Sequence, residues 1–144
     1  MSKHTSTTFL VSLLAILVLV GCVQSTAAPG RSTDDAAKNA DGYTDITVEQ
    51  LVQMMEDGDP MLVNTHIPFA GDLPDTDLSI PFDQIDQYLD RLPDKDAPIV
   101  LYCRSGSMST SAAKELAALG YTDVYELDGG MNAWTDAGYE LVGS

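Results

Sequence analysis

"IVLYCRSGSMSTSAAKEL", Ile99 to Leu116, is the stretch on which the reading of this chain turns. Ile99 to Tyr102 is an uninterrupted apolar run, the pattern of a strand buried on both faces of a sheet. "SMSTSAAKELAALG" follows as a helix that Gly120 ends. Cys103 stands at the junction. A cysteine serving only the core would sit further back, among Ile99, Val100 and Leu101, so this one reads as displayed where strand gives way to helix.

The same alternation runs outward in both directions. "YTDI", Tyr43 to Ile46, is a short strand, and Thr47 with Gln50 makes a capping-box pattern for a helix from Val48 to Glu56, with Val48, Leu51, Val52 and Met55 on one face. Gly58-Asp59-Pro60 stops that helix, and "MLVNT" is a strand leading to His66. Residues Ile67 to Pro81, with four prolines or glycines at Pro68, Gly71, Pro74 and Pro81, read as an irregular connection across the end of a sheet. "FDQIDQYLDRL" spaces Phe82, Ile85, Leu89 and Leu92 as a helix does; "DVYEL" is a further strand and "GGMNAWTDAG" a last short helix. Strands alternating with helices predict an α/β fold, a mainly parallel central sheet with helices on both faces. Such a sheet gathers the loops at its strand carboxyl ends along one edge, so Cys103 and His66 should both lie there.

The chain has 144 residues, and the domain is expected to occupy only 42–144 of them. "MSKHTSTTFLVSLLAILVLVGC" has a basic start at Lys3, an apolar run from Phe9 to Val20 and then Gly21-Cys22, the layout of a secretory signal peptide over 1–21. As a helix that run would rise only ~18 Å, short of the roughly 30 Å hydrocarbon core, which disfavours an uncleaved anchor. Leu19-Val20-Gly21-Cys22 resembles the lipobox of bacterial and archaeal lipoproteins, which implies lipidation at Cys22, export, and anchoring to the cell membrane on the periplasmic or outer side. Residues 22–41, rich in Ala, Ser, Thr, Gly and Asp without an apolar period, read as a flexible tether.

With Cys22 lipidated, Cys103 is the single free thiol, which excludes an internal disulfide. One histidine beyond the signal peptide, His66, and one thiol do not make a conventional zinc site, so no metal is expected. From Gly42 on, 19 acidic residues face Arg91, Lys95, Arg104 and Lys114, so the domain alone carries the equivalent of the chain's net charge of −15. A surface this acidic argues against nucleic acid as a partner.

Small residues between a strand and a helix N-terminus let successive backbone N–H groups turn inward around one point, with the helix adding its partial positive end. Arg104, Ser105, Gly106, Ser107, Met108 and Ser109 can form such a cradle, Gly106 taking a backbone angle that other residues resist. A sulfur at its centre would have a lowered pKa and be available as thiolate, an activated nucleophile. An arginine six positions after the cysteine, needed to hold phosphate oxygens in a cysteine phosphatase, is replaced by Ser109, and no second cysteine stands nearby for disulfide exchange.

In these stretches the chain resembles single-domain rhodaneses, which are sulfurtransferases. "IVLYCRSGSMSTSAAKEL", the glycine-pair segment "VYELDGGMNAW" and "ITVEQLVQMMEDGDPMLVNT" carry the likeness, over about Tyr43 to Val142. The resemblance implies that Cys103 takes sulfur from a donor such as thiosulfate, a polysulfide or a persulfide, and passes it to a thiol or cyanide-like acceptor, with no cofactor. It implies that the amides of Arg104 to Ser109 hold the persulfide anion, and that Gly129-Gly130 and Trp134 are structural. The family's loop often ends in a second cation where this chain has Met108, which weakens the case for a dianionic donor. Asn64-Thr65-His66 replaces the family's usual Asp-Val-Arg. Asn64 and His66 are thus accessory candidates, His66 either as a group that titrates near neutrality beside the cysteine loop or as a tie between the 67–81 connection and the sheet. A competing expectation from another class is a membrane-tethered, non-catalytic rhodanese-like module that binds an anion or a protein.

Overall fold

The computed structural model describes residues 37–144; the expected signal peptide, Cys22 and the tether up to residue 36 lie outside them. Thr44–Ile46 (β1) leads into α1, Val48–Asp57, and then β2, Met61–Asn64. Leu78–Ser79 (β3) and a 3-10 helix, Phe82–Arg91, precede β4, Ile99–Tyr102. The chain continues through α2, Ser107–Ala118, β5, Val124–Leu127, and α3, Gly130–Asp136. The strands lie in the order β1-β5-β4-β2-β3, every neighbouring pair parallel. This is the expected α/β arrangement.

Alternation along the strands divides the core into two layers. Val63, Ile99, Leu101 and Val124 pack with Ile85 of the 3-10 helix, Leu92 just after it, and Ala112, Ala113 and Leu116 of α2. Leu62, Val100, Tyr102 and Leu127 pack on the other side with Val48 and Leu51 of α1 and Met131 and Trp134 of α3. β2 and β4 are covered on both faces, which is why their sequences are apolar throughout. The capping box of α1 forms in both directions, with Gln50 N–H donating to Thr47 Oγ1 at 3.3 Å and Thr47 N–H to Gln50 Oε1 at 2.9 Å. At the end of α2, Gly120 N–H reaches the Ala117 carbonyl and Tyr121 N–H the Leu116 carbonyl, a Schellman closure.

Chain direction fixes where a site can form. After β2 the chain moves outward to β3, and after β4 it moves the other way to β5. The crevice between diverging connections therefore opens at the carboxyl ends of β2 and β4, directly before His66 and Cys103.

Three local features differ from expectation. The 67–81 connection contains β3, pinned by Asp77, whose carboxylate accepts from Leu62 N–H at 2.8 Å while its own N–H donates to the Leu62 carbonyl at 3.0 Å. The segment after Pro81 is 3-10 rather than α, with a break at Tyr88 (φ −122°, ψ 22°). Its apolar Phe82, Ile85 and Tyr88 recur every three residues, the period of that helix. Finally, the last residues assigned to the tether, 38–41, bond to the domain: Lys38 Nζ donates to the Thr122 carbonyl, Asn39 N–H to the Tyr43 carbonyl at 2.7 Å, and Asp41 pairs with Lys114 at 3.0 Å.

Candidate active site

Cys103 leaves β4 where the strand's hydrogen bonding stops, and its loop turns back over it. The Gly106 N–H points at Sγ from 3.1 Å and Ser109 Oγ lies 3.4 Å away. Gly106, at φ +97°, makes the reversal that begins α2. The sulfur is not displayed to solvent as the sequence suggested: Cys103 is 1% exposed, because these groups close around it. Ser109 is buried, Met108 half-buried, and Arg104, Ser105 and Ser107 are exposed.

Behind the loop the carbonyls point away from the sulfur and meet the first turn of α3. Met131 N–H donates to the Cys103 carbonyl at 2.9 Å and Asn132 N–H to the Arg104 carbonyl at 3.0 Å. The glycine pair permits this contact. A Cβ on Gly130, which has φ +55°, would stand 2.1 Å from the Cys103 carbonyl oxygen. Trp134 is buried in the α1–α3 layer, with its indole N–H on the Glu140 carbonyl at 3.1 Å.

Electrostatically the cradle favours an anion at sulfur. Burial pushes the Cys103 thiol up, but the Ser109 hydroxyl and the amides of Ser109, Ser105 and Met108 outweigh it, so the thiol titrates below its ordinary value. His66 stands at the rim, half-buried. Burial lowers its pKa and the Arg104 charge lowers it further. Its Nδ1 is buried without a hydrogen-bond partner among the described residues.

Asn64 and His66 part company here. The Asn64 amide, 1% exposed, donates to the Gly71 carbonyl at 3.0 Å and to Asp72 at 2.7 Å, while its oxygen accepts from His66 N–H at 2.9 Å. Tyr102 completes the fastening: its hydroxyl accepts from Leu73 N–H at 3.1 Å and meets Thr76 Oγ1 at 2.7 Å and Asp72 at 3.1 Å. Asn64 and Tyr102, rather than the His66 ring, tie the connection to the sheet. Among the described residues, no cluster of three or more His, Cys, Asp or Glu side chains is placed to hold a metal ion.

Sequence reasoning missed Glu126. It is 2% exposed, and its Oε1 lies 2.6 Å from Ser109 Oγ, directly behind the sulfur's hydroxyl neighbour. Burial raises its carboxyl to about 7, Ser109 opposing and Asp45 and Asp128 adding to the rise. The signal was present in "VYEL": a carboxylate two residues after Val124 points into the same layer as that core valine.

The model of the family described as "Rhodanese-like domain" matches residues 47–137. The thiosulfate sulfurtransferase GlpE of Shewanella oneidensis is 35% identical over 104 residues, which cover 66% of this chain and 95% of the relative. A sulfurtransferase of Allochromatium vinosum is 36% identical over 102 residues, 68% of this chain and 94% of that protein. Among solved structures, a rhodanese-like domain protein of Staphylococcus aureus aligns with TM-score 0.57 and 29% identity, covering 67% of this chain and 95% of its own. A rhodanese-related protein of Thermoplasma volcanium, at TM-score 0.59 and 22% identity over 68% of this chain and 96% of its own, is alike in fold.

Proposed function

This chain belongs to the rhodanese-like domain family, and from that premise we propose that it is a sulfurtransferase or sulfane-sulfur carrier, held outside the cytoplasm by lipid on Cys22 of the Leu19-Val20-Gly21-Cys22 stretch. The observation that carries the reading is the donor set around Cys103: the Gly106 amide and the Ser109 hydroxyl converge on Sγ, and the Ser109 hydroxyl with the amides of Ser109, Ser105 and Met108 lowers the thiol pKa against burial. A residue serving only the core would have no use for such a set.

The reaction follows from it. The Cys103 thiolate attacks the sulfane sulfur of thiosulfate, forming an S–S bond; the bond from that sulfur to the sulfonate breaks and sulfite leaves with the electron pair. A polysulfide or persulfide donor reacts in the same way and releases a shorter polysulfide or a thiolate. The enzyme persulfide anion remains in the cradle, where the Gly106 N–H is already aimed at Sγ. A thiol or cyanide-like acceptor then attacks the outer sulfur and expels the Cys103 thiolate, which restores the starting state. The exposed Arg104 guanidinium beside the cradle would attract an incoming anion, with His66 as its neighbour at the rim. Met108 supplies no second cation, which favours donors of lower charge than thiosulfate.

Incubating the chain with thiosulfate or with a polysulfide and weighing it by intact-protein mass spectrometry tests the proposal. A gain of one sulfur that the Cys103→Ser variant lacks supports it. No gain with any donor leaves the non-catalytic binding module. The membrane part has its own test: metabolic labelling with a fatty acid should mark the wild-type chain and not Cys22→Ser.

A further inference from the structure

Ser109 has one hydroxyl proton and three acceptors within reach. Glu126 Oε1 is 2.6 Å away, the Gly106 carbonyl 3.0 Å and Cys103 Sγ 3.4 Å. They cannot all be served, and which one is served depends on Glu126. An ionised Glu126 offers the strongest acceptor at the shortest distance and draws the hydroxyl proton to itself. Sγ then faces a lone pair of Ser109 and a second buried anion. A protonated Glu126 instead donates to Ser109 Oγ, and the serine proton is released toward the sulfur.

The surroundings press Glu126 toward the protonated form. Its register partner on β1 is Asp45, Asp128 follows at the end of β5, and both are negative. The β4 loop contributes the Cys103 sulfur. On α2 the nearby polar group is the Ser109 hydroxyl, while Lys114 pairs with Asp41 at 3.0 Å, the one ion pair among the described residues. The burial of the carboxyl and its rise to about 7 agree with this geometry.

We propose that Glu126 is a positioning residue for the sulfur cradle: when protonated it donates to Ser109 Oγ and turns the single Ser109 hydroxyl proton onto Cys103 Sγ, so that carboxyl and sulfur share one negative charge through the serine. No atoms are exchanged with solvent substrates in this relay. One proton resides on the carboxyl when the sulfur is anionic, and the thiol keeps its proton when the carboxylate forms. The consequence for catalysis rests on Cys103 being the sulfur carrier. The relay itself concerns only the thiol.

The test is the thiolate's ultraviolet absorbance across pH, read on the full chain as the difference from the same chain carrying Cys103→Ser. In wild type the two coupled groups give a profile with a second inflection near neutral pH. Glu126→Gln, whose amide can donate to Ser109 without titrating, gives a single step with its midpoint lower by about one pH unit. In a Ser109→Ala background, adding Glu126→Gln moves the midpoint by much less. Glu126→Gln superimposing on wild type overturns the proposal, as does an equal shift with and without Ser109, which would make the effect charge alone. Should Glu126→Gln fail to fold, the wild-type profile decides: a single titration curve overturns the relay. Failure here with successful sulfur loading refutes Glu126's role and leaves the transferase reading intact; the reverse pair of results refutes the transferase reading and leaves the relay.

Discussion

Replacing Gly130 by alanine puts the architecture behind the cradle to the test. The new Cβ would lie 2.1 Å from the Cys103 carbonyl oxygen, 2.9 Å from that carbonyl carbon and 3.0 Å from the Arg104 carbonyl carbon. All three are backbone atoms, so no side chain can swing aside, and α3 must retreat from the loop by more than about 1 Å to reach ordinary contact. Retreat lengthens the Met131 and Asn132 amide bonds to the loop carbonyls, now 2.9 and 3.0 Å. Losing them costs about 1 kcal/mol each, and holding alanine at a positive φ costs about 1–2 kcal/mol. The expected loss is therefore about 3–4 kcal/mol, a fall of roughly 2 M in a urea midpoint for a domain of this size. Gly138→Ala is the control, since Gly138 has φ +93° but nothing within 4 Å of a built Cβ. It should cost only the backbone part. Urea unfolding followed by circular dichroism measures both, and sulfur loading of Cys103 measures the loop. Gly130→Ala costing no more than Gly138→Ala, and loading sulfur as wild type does, would show that the close approach of α3 does not hold the loop.

Glu126→Gln should stabilise the fold in a pH-dependent way. A carboxyl raised from 4.5 to about 7 binds its proton more tightly in the folded than in the unfolded state. Its contribution is fully present below 4.5 and is lost as pH rises through about 7, amounting to roughly 3 kcal/mol. Denaturation at several pH values should show the gap between variant and wild type opening across that window; a constant gap contradicts it. Met108→Arg should raise turnover of thiosulfate by about tenfold, the worth of one charge-assisted contact, with little change for an uncharged donor. Steady-state kinetics with both donors decides, and an unchanged thiosulfate rate rejects the missing cation as the cause. Arg104→Ala should move the His66 pKa back up toward 6.5 without fully restoring it, since burial remains. An NMR titration of the imidazole reads this directly, and a pKa that stays put removes Arg104 from the rim.

What the sequence disclosed and withheld has a physical pattern. β2 and β4 are covered on both faces, so burial wrote itself into "MLVNT" and "IVLY" without help from context. The Thr47–Gln50 capping box and the close at Gly120 are local chemistry, complete within a few residues. β3 has two residues and is held by an Asp77 carboxylate fifteen positions from its partner Leu62, so no short window could contain its cause. The segment after Pro81 carries residues that satisfy both three-residue and α-helical spacing, and packing on α2 selects the former. Cys103 was legible as the centre of a loop, whereas its enclosure depends on Ser109 and on the α3 turn behind it. "VYEL" marked Glu126 as a carboxylate on a core face, but its place in the site comes from a 2.6 Å approach to Ser109 on another element, which no short window contains.

The claim that Cys103 carries sulfur covalently is tested most directly by following the atom. Thiosulfate labelled with heavy sulfur at the sulfane position is given to the chain, excess donor is removed, and the Cys103 peptide is weighed before and after cyanide. The expected result is one heavy sulfur on that peptide, its disappearance on cyanide, and an equal amount of heavy thiocyanate in solution; because Met108 weakens the case for thiosulfate, a labelled polysulfide is run beside it. If neither donor places label on Cys103, or if heavy thiocyanate forms at the same rate with Cys103→Ser, the sulfur does not pass through this residue.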